Sequence, residues 1–205
     1  MTEKKTFARE PIPGGLVISK ADAAERQLKT AIWLWFHNFD PVPIHALACA
    51  ALKILWKLHQ KHGTGYQTMR DRVIERVQPE HQKSFIEVLN ETENFIKHAD
   101  RDPMAFHTFN PRATDFVLMD AVAALQALSG VLPMESRAYM AWFFLHNPSL
   151  ITRNDNQYQR LIESAREIKI DNVGREDFYR MVCEGFIVNQ RRQASEHSAM
   201  EKRLE

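Results

Sequence analysis

The densest group of side chains that could perform chemistry lies in residues 94–103, NFIKHADRDP. His98 and Asp100 are two residues apart near the end of a predicted helix, close enough for the carboxylate to orient the imidazole. Lys97 and Arg101 would place positive charge beside them. A histidine positioned by an acid, with cations nearby, could carry out general acid–base chemistry on a phosphodiester. We therefore take these four residues as candidate catalytic residues.

The same block also has a purely structural interpretation. Lys97, His98 and Arg101 gather at a helix C-terminus, where the helix dipole favours each cation by about 0.3–1 kcal/mol. Asp102 precedes Pro103, and a residue before proline disfavours the helical conformation. These effects account for the charge density without any chemistry, so both interpretations stay open.

A second histidine, His45, lies within the apolar arc of a helix predicted near residues 43–62. A histidine in such a position is usually a core residue with a satisfied ring nitrogen. The N-terminal end of the helix dipole disfavours the imidazolium, so a neutral His45 could be a hydrogen-bond partner or a ligand. His59 and His62, one turn apart beside a glycine stop, are predicted to be a solvated helix end.

The chain lacks the familiar spacings of metal and phosphate sites. It contains no Glu-x-x-His pair, no H-E-x-x-H and no glycine-rich phosphate loop. No cofactor is predicted. A non-standard metal site is still compatible with the sequence, built from Glu91, His98, Asp100 and His45.

The elements that position these residues are predicted to be helices. Long helical patterns are separated by seven glycines and nine prolines, and no convincing period-two strand is present. The patterns predict an all-α, single-domain bundle of about seven or eight helices, with central helices near residues 43–62 and 113–129. Residues 1–19 are predicted to form an extended N-terminal arm and residues 20–189 the bundle domain. Residues 190–205 are predicted to be a polar tail, frayed or disordered.

Two of the predicted helices have well-defined apolar faces. On the helix predicted over residues 20–38 this face consists of Ala24, Leu28, Ala31, Ile32, Trp35 and Phe39. On the helix that ends at the catalytic candidates, the predicted core stripe consists of Phe85, Val88, Leu89, Thr92, Phe95, Ile96 and Ala99. One flank of that second helix carries a stacked line of side chains: Glu87, Glu91, Asn94 and His98.

The overall composition is that of an ordinary soluble globular protein. The 205 residues are 44% hydrophobic and carry a formal net charge of +1, which gives no global footprint for DNA or an anionic membrane. Cys49 and Cys183 lie in apolar helical patterns and are predicted to be buried, reduced thiols. No signal sequence and no long uncharged apolar run is visible, so the predicted location is cytoplasmic, without a membrane partner.

Three blocks, AERQLKTAIWLWF, DPVPIHALACAALKIL and NFIKHADRDP, resemble a group of uncharacterised bacterial all-helical proteins. The resemblance covers about residues 22–130 and implies no activity. It marks twelve positions: Glu25, Arg26, Gln27, Asp40, Pro41, His45, Asn94, Lys97, His98, Asp100, Arg101 and Asp102. From these positions and the polar flank we take the candidate binding residues: His45, Glu25, Glu91, Asn94 and Asp102.

More loosely, the chain is similar to HEPN domains, helical bundles that often dimerise and include ribonucleases. Those nucleases carry an arginine separated from a histidine by four to six residues, a spacing found here at Arg76/His81, Arg101/His107 and Arg192/His197. None of these pairs lies inside a firmly predicted helix. The similarity therefore implies a non-catalytic member at least as readily as a nuclease.

Three functions are compatible with these patterns. The leading one is a HEPN-like binding or assembly module, expected to self-associate as a dimer, because the chain carries many aromatic residues of the kind enriched at interfaces: Trp33, Tyr139, Trp142, Phe143 and Phe144. The second is a metal-independent ribonuclease centred on His98, with RNA as a partner. The third is a metal-binding bundle. If the short third helix is only a connector, His98 lies near His45; if it is a full bundle member, His98 lies near Glu25.

Overall fold

Helices account for the regular structure of the described residues. The structure is a computed structural model that describes residues 13–98, 100, 102–150, 163 and 170–185, and none of these residues lies in a strand. The helices are α1 (Lys20–Phe36), α2 (Pro41–His62), α3 (Met69–Ile74), α4 (Pro79–Lys97), α5 (Arg112–Ser129) and α6 (Met134–His146). Residues 175–185 form a further helical segment, α7, and short 3₁₀ turns lie at Pro148–Leu150 and Ile170–Asn172. The predicted all-α bundle is confirmed. Of the predicted arm only residues 13–19 are described, and the predicted tail lies outside the described residues.

Side chains and a glycine fix the ends of the first two helices. Ser19 Oγ accepts the N–H of Asp22 at 3.0 Å while the carboxylate of Asp22 accepts the N–H of Ser19 at 2.9 Å, which is a capping box. Asp40 Oδ1 accepts the N–H of Val42 at 2.8 Å at the start of α2. This helix ends at Gly63, whose φ of 61° is a left-handed conformation that glycine adopts without steric cost.

The core lies between α1, α2, α5 and α6, whose apolar faces bury one another. The packing of α2 against both α1 and α5 makes α2 and α5 the central helices, as predicted. Of the aromatic residues considered for an interface, Tyr139 and Phe143 are buried core residues, whereas Trp33 is 42% exposed and stacks on His37. The helix α2 is long and apolar enough to cross a membrane, by length and composition alone. The mean hydropathy of its most apolar window is 1.3.

The predicted core position of Phe39 is wrong. Its side chain is 53% exposed, because α1 ends at Phe36 and the chain then turns through Asn38, whose φ is 54°. The fully buried ring at this end of α1 is that of Phe36. The apolar pattern in the sequence therefore continues about one turn beyond the residue at which the helix ends in the structure.

The predicted solvation of His59 is also wrong. His59 is 2% exposed, with Nδ1 at 2.7 Å from Thr64 Oγ1 and Nε2 at 2.8 Å from the carbonyl oxygen of Ala124. Its imidazole joins the end of α2 to α5. His62 is exposed, as predicted.

The predicted core stripe of α4 is wrong as well. No residue of α4 is buried, and Val88, Leu89 and Phe95 are 66%, 43% and 44% exposed. Ala99, at the end of the predicted stripe, lies outside the described residues. Phe85, Thr92 and Ile96 of the same stripe are half-buried, so α4 turns only the Val88, Leu89 and Phe95 side of its apolar face outward.

Polar contacts explain why α4 adopts this rotation. Arg70 Nη1 donates to Asn90 Oδ1 at 2.7 Å, and Lys53 Nζ lies 3.7 Å from Glu93 Oε1. Asn90 and Glu93 are neighbours on one face of α4, so these contacts turn that polar face towards α2 and α3. Val88, Leu89 and Phe95 are left exposed to solvent by this rotation.

Candidate functional site

The end of α4 that carries the catalytic candidates lies at the end of the bundle where α2 begins. Because α3 is only six residues long, it is a connector, and α4 returns antiparallel to α2. Glu93 and Lys97 come close enough to His45 to act on its charge. Glu25 lies in the first half of α1, about 16 Å along that helix from this end. The last turn of α4 thus lies at the His45 end of the bundle and not at the Glu25 end.

The four catalytic candidates do not form a closed group among the described residues. His98 Nδ1 lies 4.0 Å from Asp100 Oδ1, with side chains that are 39% and 83% exposed. The Nζ of Lys97 donates instead to Glu93 Oε1 at 2.5 Å. Arg101 lies outside the described residues. Of the predicted group, the structure brings together His98 and Asp100, both at the surface.

His45 is a core histidine whose two ring nitrogens both have neighbours. Its Nδ1 lies 3.0 Å from Thr114 Oγ1 and its Nε2 lies 3.4 Å from Cys49 Sγ. Burial lowers the pKa of His45 and raises the pKa of the Cys49 thiol to about 12. At neutral pH the pair is therefore an imidazole and a thiol, without the thiolate that nucleophilic chemistry requires. Cys183 is also free but only half-buried, so the prediction of a buried thiol holds for Cys49 alone.

The charged side chains of this region converge on Glu93, a residue absent from the predicted site. Its side chain is 13% exposed and accepts the hydrogen bond from Lys97, with Lys53 on its other side. Burial raises the pKa of Glu93, but the hydrogen bond from Lys97 and the charges of Lys97, Lys53 and Arg70 outweigh it and leave the pKa below its ordinary value. The four-residue spacing of Glu93 and Lys97 was visible in the sequence, whereas the contact with Lys53 depends on how α4 packs on α2.

The other binding candidates are spread over the surface of the same region. Glu91 Oε1 lies 3.5 Å from Nδ1 of His107, whose Nε2 lies 2.8 Å from Thr92 Oγ1. These contacts fold the segment after α4 back onto the helix. Asn94 is half-buried and Asp102 is exposed. The candidates therefore do not surround one common cleft.

A cavity of about 90 Å³ opens at the same end of the bundle. Its apolar wall is formed by Trp35, Phe39, Pro41, Ile44 and Pro111. Its polar wall is formed by Arg112, Thr114, Asp115 and Arg175. The charged residues of this wall are absent from the predicted site, because packing alone brings the start of α5 and the start of α7 together.

A metal centre finds no support in the described part of the chain, where no group of three or more His, Cys, Asp or Glu side chains could hold a metal ion. His98 with Asp100 and His107 with Glu91 each supply only two ligands, whereas a structural or catalytic zinc site uses at least three. Such a site therefore does not form from the residues predicted for it, which were Glu91, His98, Asp100 and His45.

Neither a protein-family model, nor a curated protein, nor a solved structure matches this chain. Its class is therefore defined by its fold, an all-α helical bundle with α4 packed outside the core through polar contacts.

Proposed function

We propose that this chain is a helical binding and assembly module, HEPN-like in its bundle, that works as a homodimer. The observation that carries the proposal is the group of exposed apolar side chains on α4. Val88, Leu89 and Phe95 on this helix are 66%, 43% and 44% exposed. Large contiguous apolar patches are rare on monomeric soluble proteins and mark interaction sites.

The segment after α4 enlarges this apolar surface. Met104 and Phe106 are 81% and 99% exposed, and the next residue, His107, is fixed to α4 by its hydrogen bond with Thr92 and its ring contact with Phe95 at 5.3 Å. The two exposed side chains are therefore held near the end of the helix. We call the surface formed by Val88, Leu89, Phe95, Met104 and Phe106 the α4 face.

A second copy of this chain is the occupant that the α4 face fits. Val88 and Phe95 are seven residues apart, or about two helical turns, so a twofold axis between them sets Val88 against the partner's Phe95. The flank beside these residues carries Glu87 and Glu91 and ends in His98. Antiparallel packing brings Glu87 alongside the partner's His98. One patch thus supplies both sides of an isologous interface.

The test of this proposal is a charge placed in the α4 face. We expect Val88→Glu to weaken dimerisation by about 100-fold or more, because burying an unpaired carboxylate costs at least about 3 kcal/mol. Sedimentation equilibrium over a concentration series measures the dissociation constant. Val131→Glu is the matched control, since Val131 is 65% exposed and lies in the turn after α5; its dimer should persist. A wild type that is monomeric throughout, or a dimer unaffected by Val88→Glu, would overturn the proposal.

A second candidate function, phosphodiester chemistry, is favoured by one observation, the approach of Asp100 to His98 at 4.0 Å. A carboxylate orients an imidazole through a hydrogen bond, and 4.0 Å is longer than such a bond, so the two groups are near one another without being joined. Solvent surrounds both groups, however, and Lys97 is engaged with Glu93. We rank this function below assembly for that reason.

An RNA-cleavage assay in the presence of chelator separates the two candidates. We expect no cleavage above the buffer control from either wild type or His98→Ala, because neither His98 nor Asp100 is shielded from water. His62→Ala, which changes another exposed histidine, is the control. Cleavage by wild type and by His62→Ala that is lost in His98→Ala would establish the ribonuclease instead.

A further inference from the structure

The cavity at the start of α5 contains opposite charges that do not neutralise one another by contact. Asp115 Oδ1 accepts the indole N–H of Trp35 at 2.8 Å. Burial raises the pKa of Asp115 and outweighs both this hydrogen bond and the charges of Arg175 and Arg112. Within the described part of the chain neither arginine forms a salt bridge with Asp115. The carboxylate keeps its second oxygen for another donor.

The core holds these groups in place. The guanidinium of Arg175 lies 3.8 Å from the ring centroid of Trp35, a cation–π contact. Trp35 in turn packs edge-on against the buried ring of Tyr139, whose hydroxyl donates to the backbone carbonyl of Asp115 at 2.9 Å. The indole, the carboxylate and one guanidinium are thus preorganised, which lowers the entropic cost of binding a ligand.

The positive side of the cavity is strengthened by the helix itself. Arg112 is the first residue of α5, an 18-residue helix, so its guanidinium lies near the positive end of the helix dipole. A carboxylate placed here would meet Arg112, Arg175 and that dipole. A ligand that is only an anion would also meet Asp115, and a ligand that is only a cation would meet both arginines.

We propose that this cavity binds a small zwitterion of the α-amino acid type. Arg112 and Arg175 hold its carboxylate, Asp115 accepts its ammonium group, and Phe39 and Ile44 contact its aliphatic side chain. The cavity is small, at about 90 Å³, so the ligand is a compact one with a short side chain, as in valine. This site is independent of the α4 face.

Calorimetric titration with three probes tests the proposal: L-valine, L-valinol, which lacks the carboxylate, and 3-methylbutanoate, which lacks the ammonium group. We expect saturable binding of L-valine and binding at least about tenfold weaker for both other probes, since each loses hydrogen bonds to charged groups. Absence of L-valine binding, or equal affinity for either of the other probes, would overturn the proposal.

Variants assign the two charges of the ligand. Arg112 is exposed, so Arg112→Gln should fold normally and bind L-valine at least about tenfold more weakly. Asp115→Asn keeps an acceptor for Trp35 and should lose affinity for L-valine while gaining affinity for 3-methylbutanoate. Arg180→Gln, which changes a side chain that is 67% exposed and outside the cavity wall, is the control. Equal affinities in Arg112→Gln and Arg180→Gln would exclude the site.

Discussion

Replacement of Phe36 by alanine is expected to lower the free energy of unfolding by about 3–5 kcal/mol. The side chain of Phe36 is fully buried. Its ring lies 4.9 Å from that of Tyr179 in α7 and 6.2 Å from that of Trp142 in α6. Because these neighbours come from separate helices, no single shift closes the cavity that alanine would leave, and the cost should fall in the upper part of the range.

Urea unfolding at one fixed protein concentration measures this loss, since dimerisation would make stability depend on concentration. Phe39→Ala is a matched control, because it removes the same side chain three residues later, where the ring is 53% exposed. We expect that control to lower the unfolding free energy by only about 1 kcal/mol, because about half of the Phe39 side chain is already in water. Equal losses in the two variants would contradict the packing described for the end of α1.

Phe36 and Phe39 show which parts of the fold can be predicted from the sequence and which cannot. The capping box at Ser19, the cap at Asp40 and the stop at Gly63 are local chemistry, so the start of α1 and both ends of α2 follow from the residues themselves. The end of α1 does not, because a left-handed Asn38 turns the chain before Phe39 can reach the core.

For α4, the sequence predicts the existence of an apolar face but not its surroundings. Lys53 and Arg70 decide which side of the helix meets the core, and both lie far from α4 in the sequence. The same limit applies to the site. The approach of Asp100 to His98 is a local contact and was predicted, whereas the cavity joins residues of α1, α5 and α7 that only packing brings together.

The connector α3 is tied to the core by Asp120, and Asp120→Ala is expected to lower the free energy of unfolding by about 2–3 kcal/mol. Asp120 is 3% exposed, and its Oδ1 accepts the N–H of Met69 at 2.9 Å. The N–H of Arg70 also bonds to this carboxylate. Asp120 in α5 therefore caps the first turn of α3. Alanine would leave two partly buried donors without this acceptor.

Hydrogen exchange should show where this loss acts. We expect protection to fall first in α3 and α4, which follow the lost cap, while α1 and α2 exchange only on global unfolding. Asp177→Ala is the control, because Asp177 is 59% exposed and its ion pair with Arg180 lies at the surface, where such pairs contribute about 0–1 kcal/mol. Uniform loss of protection across all helices would contradict a local role for Asp120.

The unfolding free energy lost in Asp120→Ala should also depend on pH, because burial shifts the pKa of Asp120. Burial raises the pKa of Asp120 above its ordinary value of 3.8, and the two backbone hydrogen bonds do not fully offset it. Between the ordinary and the raised value, folded protein binds a proton that unfolded protein does not, so acid stabilises wild type relative to a variant without this carboxyl. The difference in unfolding free energy should therefore reach its full value below pH 3.8 and should decrease as the pH rises through the folded pKa. The pKa of Glu93 is lowered, so its contribution to the unfolding free energy depends on pH in the opposite direction. That contribution is present above pH 4.5, the ordinary pKa, and is lost as the pH falls. Unfolding of wild type and Asp120→Ala at several pH values measures the first trend, and a difference that grows with pH would contradict it.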